Sequence, residues 1–370
     1  MSTGPERLVE RTYPKGAVLG SVISAVAPTQ RLTGGKGIRS LSRDLASLPK
    51  AHLHLHFDGA LLASTLADLA GKAGIEAPLP SGYGSFDDVT ATITAAAACL
   101  RTPDDVARVM EEIAEDAVAA GAVWIEVSVW PGLFAGRLGP HVEAVRVLVQ
   151  AARAAEARHG AGVGLVLAAN RGQGPDRARE IARVAAEFVG EGVVGFGLDG
   201  DESRHPPAPF AEACALARRA GPAVVPHAGE LLGADSVAQA VDLLGARRVM
   251  HGVRCLEDPR LVARLAATGT VLDVCPTSNV LLSVAPSLRE HPLPRLLAAG
   301  IRCTVNADDP LLFDTDLLTE YRRCREQMGL SDRTLAEIAR TSLRASAAPG
   351  DLVEAAVRGI DRWLDGPAVA

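Results

Sequence analysis

Residues 50–60 read KAHLHLHFDGA, with histidine at positions 52, 54 and 56. Successive side chains of a strand point to opposite faces. As a strand, the run puts His52, His54 and His56 on one face and Leu53, Leu55 and Phe57 on the other. A strand with one polar, solvated face would show the same alternation. Two things favour another use: three of the chain's nine histidines lie within five positions, and Phe57-Asp58-Gly59 ends the run as a strand entering a loop. Neutral imidazoles that neighbour one another on a single face grip a metal ion.

Outward from this stretch, short runs rich in branched residues recur between alanine-rich helical patterns. They are Leu53–Phe57, Val123–Val129, Val163–Ala168, Val193–Leu198, Ala223–Pro226, Arg248–Met250, Val271–Val274 and Arg302–Val305. From the second onward they follow at the interval of βα units. Eight strands with intervening helices predict an α/β fold, a (β/α)8 TIM barrel. The longer gap after the first run holds Leu61–Ala73 and further helical sequence through Ala120, an insertion capping one end. Residues 1–47 read as an N-terminal extension and residues 48–370 as one barrel domain.

Chemistry gathers just past the strands. The first delivers His54 and His56 with Asp58 beyond, the fourth ends at Asp199-Gly200, and the fifth at His227-Ala-Gly-Glu230. The sixth ends at His251-Gly252 and the eighth at Asn306-Ala-Asp308-Asp309-Pro310. In this fold the C-terminal strand ends line the active site, so these groups are expected to converge. Singly, HAGE could open a helix and DDP could be a capped turn. Five such turns at the same end of five strands are better explained by one site.

The bulk composition narrows the partners. The 370 residues are 48% hydrophobic and 22% charged with a net charge of −6, which suits a packed globular protein without a basic stripe. Nucleic acid and anionic membranes are therefore poor partners, and a small molecule is the expected one. Six scattered cysteines without a CxxC fit a reducing cytoplasmic setting. Gly16–Ala27 has the look of a secretory apolar segment ending in Ala-Val-Ala, but Glu6, Glu10 and Pro28 argue against it. GFGLDG at 195–200 matches a dinucleotide fingerprint in form only, because Asp201, Glu202, Pro206 and Pro207 follow where a phosphate-binding helix should begin. The zinc deaminase signature with P-C-x-x-C is absent.

LPKAHLHLHFDGA, VGFGLDGDE, PHAGE, MHGVRCLEDPRL, CPTSN and NADDPLLF stand in the order and spacing of the adenosine deaminase family, one of the metal-dependent amidohydrolase barrels. The likeness runs from Leu48 to Leu364 and is closest to the actinobacterial branch, whose first motif also reads KAHLHLHF. The resemblance implies one Zn2+ held by His54, His56, His227 and Asp308. It makes Glu230 the proton carrier at purine N1, and gives His251 the task of orienting or deprotonating the attacking water, so that Glu230, His251 and Asp308 are the catalytic set. It implies that Asp309 meets N7, the Gly200 N–H meets N3, Asp58 meets the ribose 5′-hydroxyl, and His56 also borders the substrate. His52 stands where the family usually has glutamate and is not assigned as a ligand. Trp130-Pro131 and Asp199 are further departures, from a smaller polar residue and from alanine.

The residues support that chemistry independently. Imidazoles and a carboxylate leave a divalent ion able to activate water, and the fourth run offers no lysine to bridge a second ion. An aromatic amine leaves poorly, so the ring nitrogen beside the attacked carbon must gain a proton, which asks for a carboxyl of raised pKa. The expected reaction is deamination of a 6-aminopurine nucleoside, adenosine by default. Adenine, deoxyadenosine, aminodeoxyfutalosine and other modified nucleosides are the alternatives within the fold. A different metal hydrolase and an inactive binding protein are the alternatives outside it.

Overall fold

The computed structural model describes residues 43–78, 86–134 and 136–367, so the 16–27 segment and all but the end of the 1–47 extension lie outside the described residues. Eight parallel strands run in the order β1 to β8: β1 Lys50–His56, β2 Ala122–Val129, β3 Gly162–Asn170, β4 Val193–Asp199, β5 Ala223–Ala228, β6 Arg248–His251, β7 Val271–Val274 and β8 Arg302–Val305. Seven of the eight neighbouring pairs form parallel ladders, with register shifts in β1–β2 and β3–β4. The eighth closes just past β8, where His56 N–H donates to Asp308 O (3.0 Å) and Asp308 N–H donates to His54 O (3.1 Å). This is the (β/α)8 barrel expected from the eight runs.

The expected insertion after β1 consists of helices Ala63–Ala73, Phe86–Ala98 and Pro103–Ala119. The last is started by Thr102, whose hydroxyl accepts from Asp105 N–H while the Asp105 carboxylate accepts from Thr102 N–H. Outward strand residues pack under the helical ring in one large apolar cluster. Val166, Val225 and Met250, from β3, β5 and β6, cluster apart from it, as residues filling a barrel interior do. Among the described residues no helix is long and apolar enough to cross a membrane, and all six cysteines are buried and unpaired.

Two sequence expectations shift. β3, β5 and β6 run further than the apolar patterns suggested, so His227 and His251 are the polar ends of strands, not loop residues. The alternation in β1 breaks at Leu53-His54, whose consecutive N–H groups both donate to Asn306 Oδ1 (2.8 and 3.2 Å), while the register with β2 slips between His52 and Leu55. This is a β-bulge, and it takes His52 off the face shared by His54 and His56. His52 lies instead beside Leu55 and accepts Ala307 N–H on Nε2 (3.1 Å).

Candidate active site

At the C-terminal end of the barrel, ring nitrogens of His54, His56 and His227 and a carboxylate oxygen of Asp308 lie within 4.8 Å of one another. His54 Nε2 and His56 Nε2 are each 3.2 Å from His227 Nε2, and they lie 3.2 and 3.4 Å from Asp308 Oδ1. A tetrahedral ion with ligands at about 2.0–2.2 Å has ligand–ligand edges of roughly 3.3–3.6 Å. The outer ring nitrogens are directed elsewhere. His54 Nδ1 faces Asp273 O (3.2 Å), and His227 Nδ1 and His56 Nδ1 lie 3.0 and 3.6 Å from Asp199 carboxylate oxygens. With their protons on Nδ1, the three rings aim Nε2 lone pairs at one point beside a carboxylate. Such a set repels itself without a cation and fits a divalent metal of the zinc type. Burial lowers the His56 pKa, but Asp309, Asp308 and Asp199 more than reverse this and hold it well above the usual imidazole value. The site therefore attracts positive charge.

Glu230 and His251 adjoin this cluster. His251 Nε2 lies 3.5 Å from Glu230 Oε1 and 3.7 Å from Asp308 Oδ2. Burial, reinforced by Asp308, Glu202 and Asp309, raises the Glu230 carboxyl well above its ordinary value. Burial likewise raises Asp309 well above its ordinary value against the opposing pull of His56, with Asp308, Asp58 and Asp199 adding to the rise. Asp58 is pushed up to about 6, chiefly by burial. Asp309 can reach the site because position 59 is glycine: a Cβ there would lie 1.8 Å from Asp309 Oδ1. His251 and Asp308 are non-glycine residues with φ of +62° and +63°, a conformation that costs on the order of 1–3 kcal/mol each and is concentrated at functional sites.

These groups border one cavity of about 80 Å3, lined by His56, Asp58, Asp199, Gly200, His227, Glu230, His251, Asp308 and Asp309. The site residues expected from the sequence therefore come together, with His54 fully buried beneath. Phe86, Val89, Ile93, Trp130, Leu282 and Phe313 supply an apolar wall. Val89 and Ile93 bring the insertion helix Phe86–Ala98 over the mouth, packed on Leu282 and Phe313.

Several supporting residues were not anticipated from the sequence. Glu202, 1% exposed, accepts from Gly229 N–H, Glu230 N–H, Leu232 N–H and the Ser236 hydroxyl at 2.5–3.0 Å, and so holds the HAGE turn. Buried Arg171 donates to His205 O and His227 O. Asp199, expected at the barrel mouth but given no role there, lies between His56 and His227.

A model of the family described as "Adenosine deaminase" matches residues 49–363. The chain belongs to the adenosine deaminase family. A Streptomyces virginiae protein named "Putative adenosine/adenine deaminase" is 43% identical over 88% of this chain and 99% of its own. An aminodeoxyfutalosine deaminase from Acidothermus cellulolyticus is 36% identical over 78% of this chain and 85% of its own. Among solved structures, an amidohydrolase from Burkholderia ambifaria with bound Zn superimposes with a TM-score of 0.81 at 28% identity, covering 91% of this chain and 97% of that one. Membership makes the protein a metal-dependent enzyme acting on C–N bonds of amidines and explains why its barrel mouth gathers histidines and carboxylates.

Proposed function

We propose that the protein deaminates adenosine hydrolytically to inosine and ammonia, with Zn2+ as its metal. The observation that carries this is the adjacency of the four-ligand cluster and a carboxyl, Glu230, held in its protonated range by burial. His54, His56, His227 and Asp308 would hold the ion, which when bound lowers the pKa of a water toward neutrality and makes it a nucleophile. Glu230 gives its proton to purine N1 as the C6–O bond forms. Of the water's two protons, one then goes to the 6-amino group, which leaves as ammonia as the C6–N bond breaks, and the other restores Glu230. Asp309, kept protonated by its surroundings, donates to N7, and Gly200 N–H donates to N3. Asp58 takes the ribose 5′-hydroxyl at the edge of the cavity.

The lining favours an uncharged substrate. Its carboxylates Asp58, Asp199, Glu230, Asp308 and Asp309 are accompanied by no lysine or arginine among the described residues. A phosphate, or the carboxylate of aminodeoxyfutalosine, would enter without a cationic partner. Free adenine is the second reading, favoured by the small cavity and its apolar wall.

Ammonia release from adenosine, deoxyadenosine, adenine, AMP and aminodeoxyfutalosine, with metal analysis of the isolated protein, tests the proposal. Adenosine and deoxyadenosine should lead. A preference for adenine would overturn the nucleoside assignment, and no release from any of them would overturn the reaction. Asp58→Ala should lose a hydrogen bond of about 1.5–3 kcal/mol on nucleosides only. An equal loss on adenine would place Asp58 in support of the metal cluster.

A further inference from the structure

The proton on His251 is set from outside the reaction cavity, through residues to which no role has been given above. The series begins at helix Leu293–Ala298, where Leu293 N–H donates to His291 Nδ1 (3.1 Å). A ring nitrogen that accepts a backbone N–H bears no proton, so neutral His291 carries its proton on Nε2. His291 is 2% exposed, and burial lowers its pKa to about 4. His291 Nε2 lies 3.2 Å from the Asn279 side-chain oxygen, and that contact requires the amide oxygen on this side. The Asn279 amide nitrogen then points the other way, 3.1 Å from His251 Nδ1. It can only donate, so His251 Nδ1 accepts, and the proton of neutral His251 is left on Nε2, facing Glu230 and Asp308. One backbone N–H thus fixes two imidazole tautomers and one amide orientation. The metal-cluster rings are arranged the opposite way, with Nδ1 turned to acceptors and Nε2 lone pairs inward.

We infer that Asn279 and His291 are positioning residues that hold His251 as an N–H donor toward the attacking oxygen, which makes His251 an orienting group and not a base. This rests on the proposed deamination only in taking His251 Nε2 to face the reacting oxygen. With its Nε2 lone pair replaced by N–H, His251 is also removed from the ligand set, although its ring centroid is 4.7 Å from that of His54.

Two measurements test the wiring. In 15N-histidine-labelled full-length protein, with and without zinc, long-range 1H–15N correlations report which nitrogen of each ring is protonated. Signals are assigned by their loss in His251→Gln and His291→Gln. Protons on Nε2 of both rings are expected, and a proton on Nδ1 of His251 overturns the inference. Asn279→Asp keeps the side chain's size but presents an acceptor to His251 Nδ1, so it should move the proton to Nδ1. It should lower kcat by roughly 10²-fold or more with stoichiometric zinc, and leave KM within about threefold. Wild-type kcat in Asn279→Asp, or a loss confined to KM or zinc content, overturns it. The NMR pattern is read without turnover, so an absence of deaminase activity would refute the proposed reaction and leave the measured wiring intact.

Discussion

Glu202→Gln tests how the HAGE turn is held. The carboxylate receives four donors: Glu230 N–H (2.8 Å) and Leu232 N–H (2.7 Å) on Oε1, Gly229 N–H (3.0 Å) and the Ser236 hydroxyl (2.5 Å) on Oε2. Glutamine must place an NH2 on one side. The Ser236 hydroxyl can rotate to accept, so the least harmful arrangement puts NH2 on the Oε2 side, opposite Gly229 N–H. One buried N–H then loses a bond to a charged acceptor, about 1.5–3 kcal/mol, and the bonds on the other oxygen become neutral and weaker by roughly 1 kcal/mol each. Relief of a buried charge offsets part of this, so a net loss of about 2–4 kcal/mol is expected from urea unfolding of the metal-free protein. Turnover should fall as well, because the Glu230 backbone is one of the groups released. Glu202 also helps to raise the Glu230 pKa, after burial and Asp308. Removing its charge lets Glu230 lose its proton at lower pH, and the alkaline limb of kcat should move in that direction. Unchanged stability together with an unchanged kcat profile would refute this account.

Three further outcomes follow from the same structure. Glu230→Gln should bind zinc normally yet lose about 10²–10⁴ in kcat, since an amide has no proton to give to N1; near-wild-type turnover would remove its assigned role. His56→Ala should lose zinc and activity together, and a variant that keeps both would show the cluster is not a metal site. Burial lowers the His291 pKa from 6.5 to about 4. Unfolded chains take up that proton near pH 6.5 and the folded chain only near 4, so the associated stability is complete above 6.5 and lost as pH falls toward 4. At 1.36 kcal/mol per pKa unit this is about 3 kcal/mol. In metal-free protein the stability gap between wild type and His291→Gln should narrow by about that amount across the window, and parallel curves would contradict the burial argument.

What was legible in the sequence was chemistry tied to a strand end. A ligand or acid must sit at the barrel mouth and be of a particular residue type, so HLH, HAGE, HG and NADDP stand out in one dimension. Groups that act by holding other groups do not. Glu202 follows two other charged or flexible residues, in GDE, and has the appearance of a solvated acid, yet it is nearly inaccessible and fully engaged. Asn279 stands in the CPTSN motif with no role of its own, and His291 belongs to none of the motifs; their pairing depends on a fold of the chain past β7 that no spacing encodes. His52 was placed on the wrong face because a period of two assumes an unbroken strand, and the bulge is made by a side chain more than 250 positions away.

That side chain, Asn306, shows why the metal cluster and the barrel's closure are one structural event. Each of three consecutive residues after β8 is tied to β1: Asn306 Oδ1 accepts from Leu53 and His54, Ala307 N–H donates to His52, and Asp308 exchanges backbone bonds with His54 and His56. Asp308 adopts its costly positive φ within this seam. The bonds that offset the strain are those that bring β8 against β1, and the same contact sets Asp308 Oδ1 beside the Nε2 atoms of His54 and His56. The ligands come together only when β8 is closed on β1, so metal binding and closure of the barrel are coupled and each stabilises the other. The bulge lies within the same seam: it leaves His54 and His56 on one face toward the carboxylate and separates His52 from them.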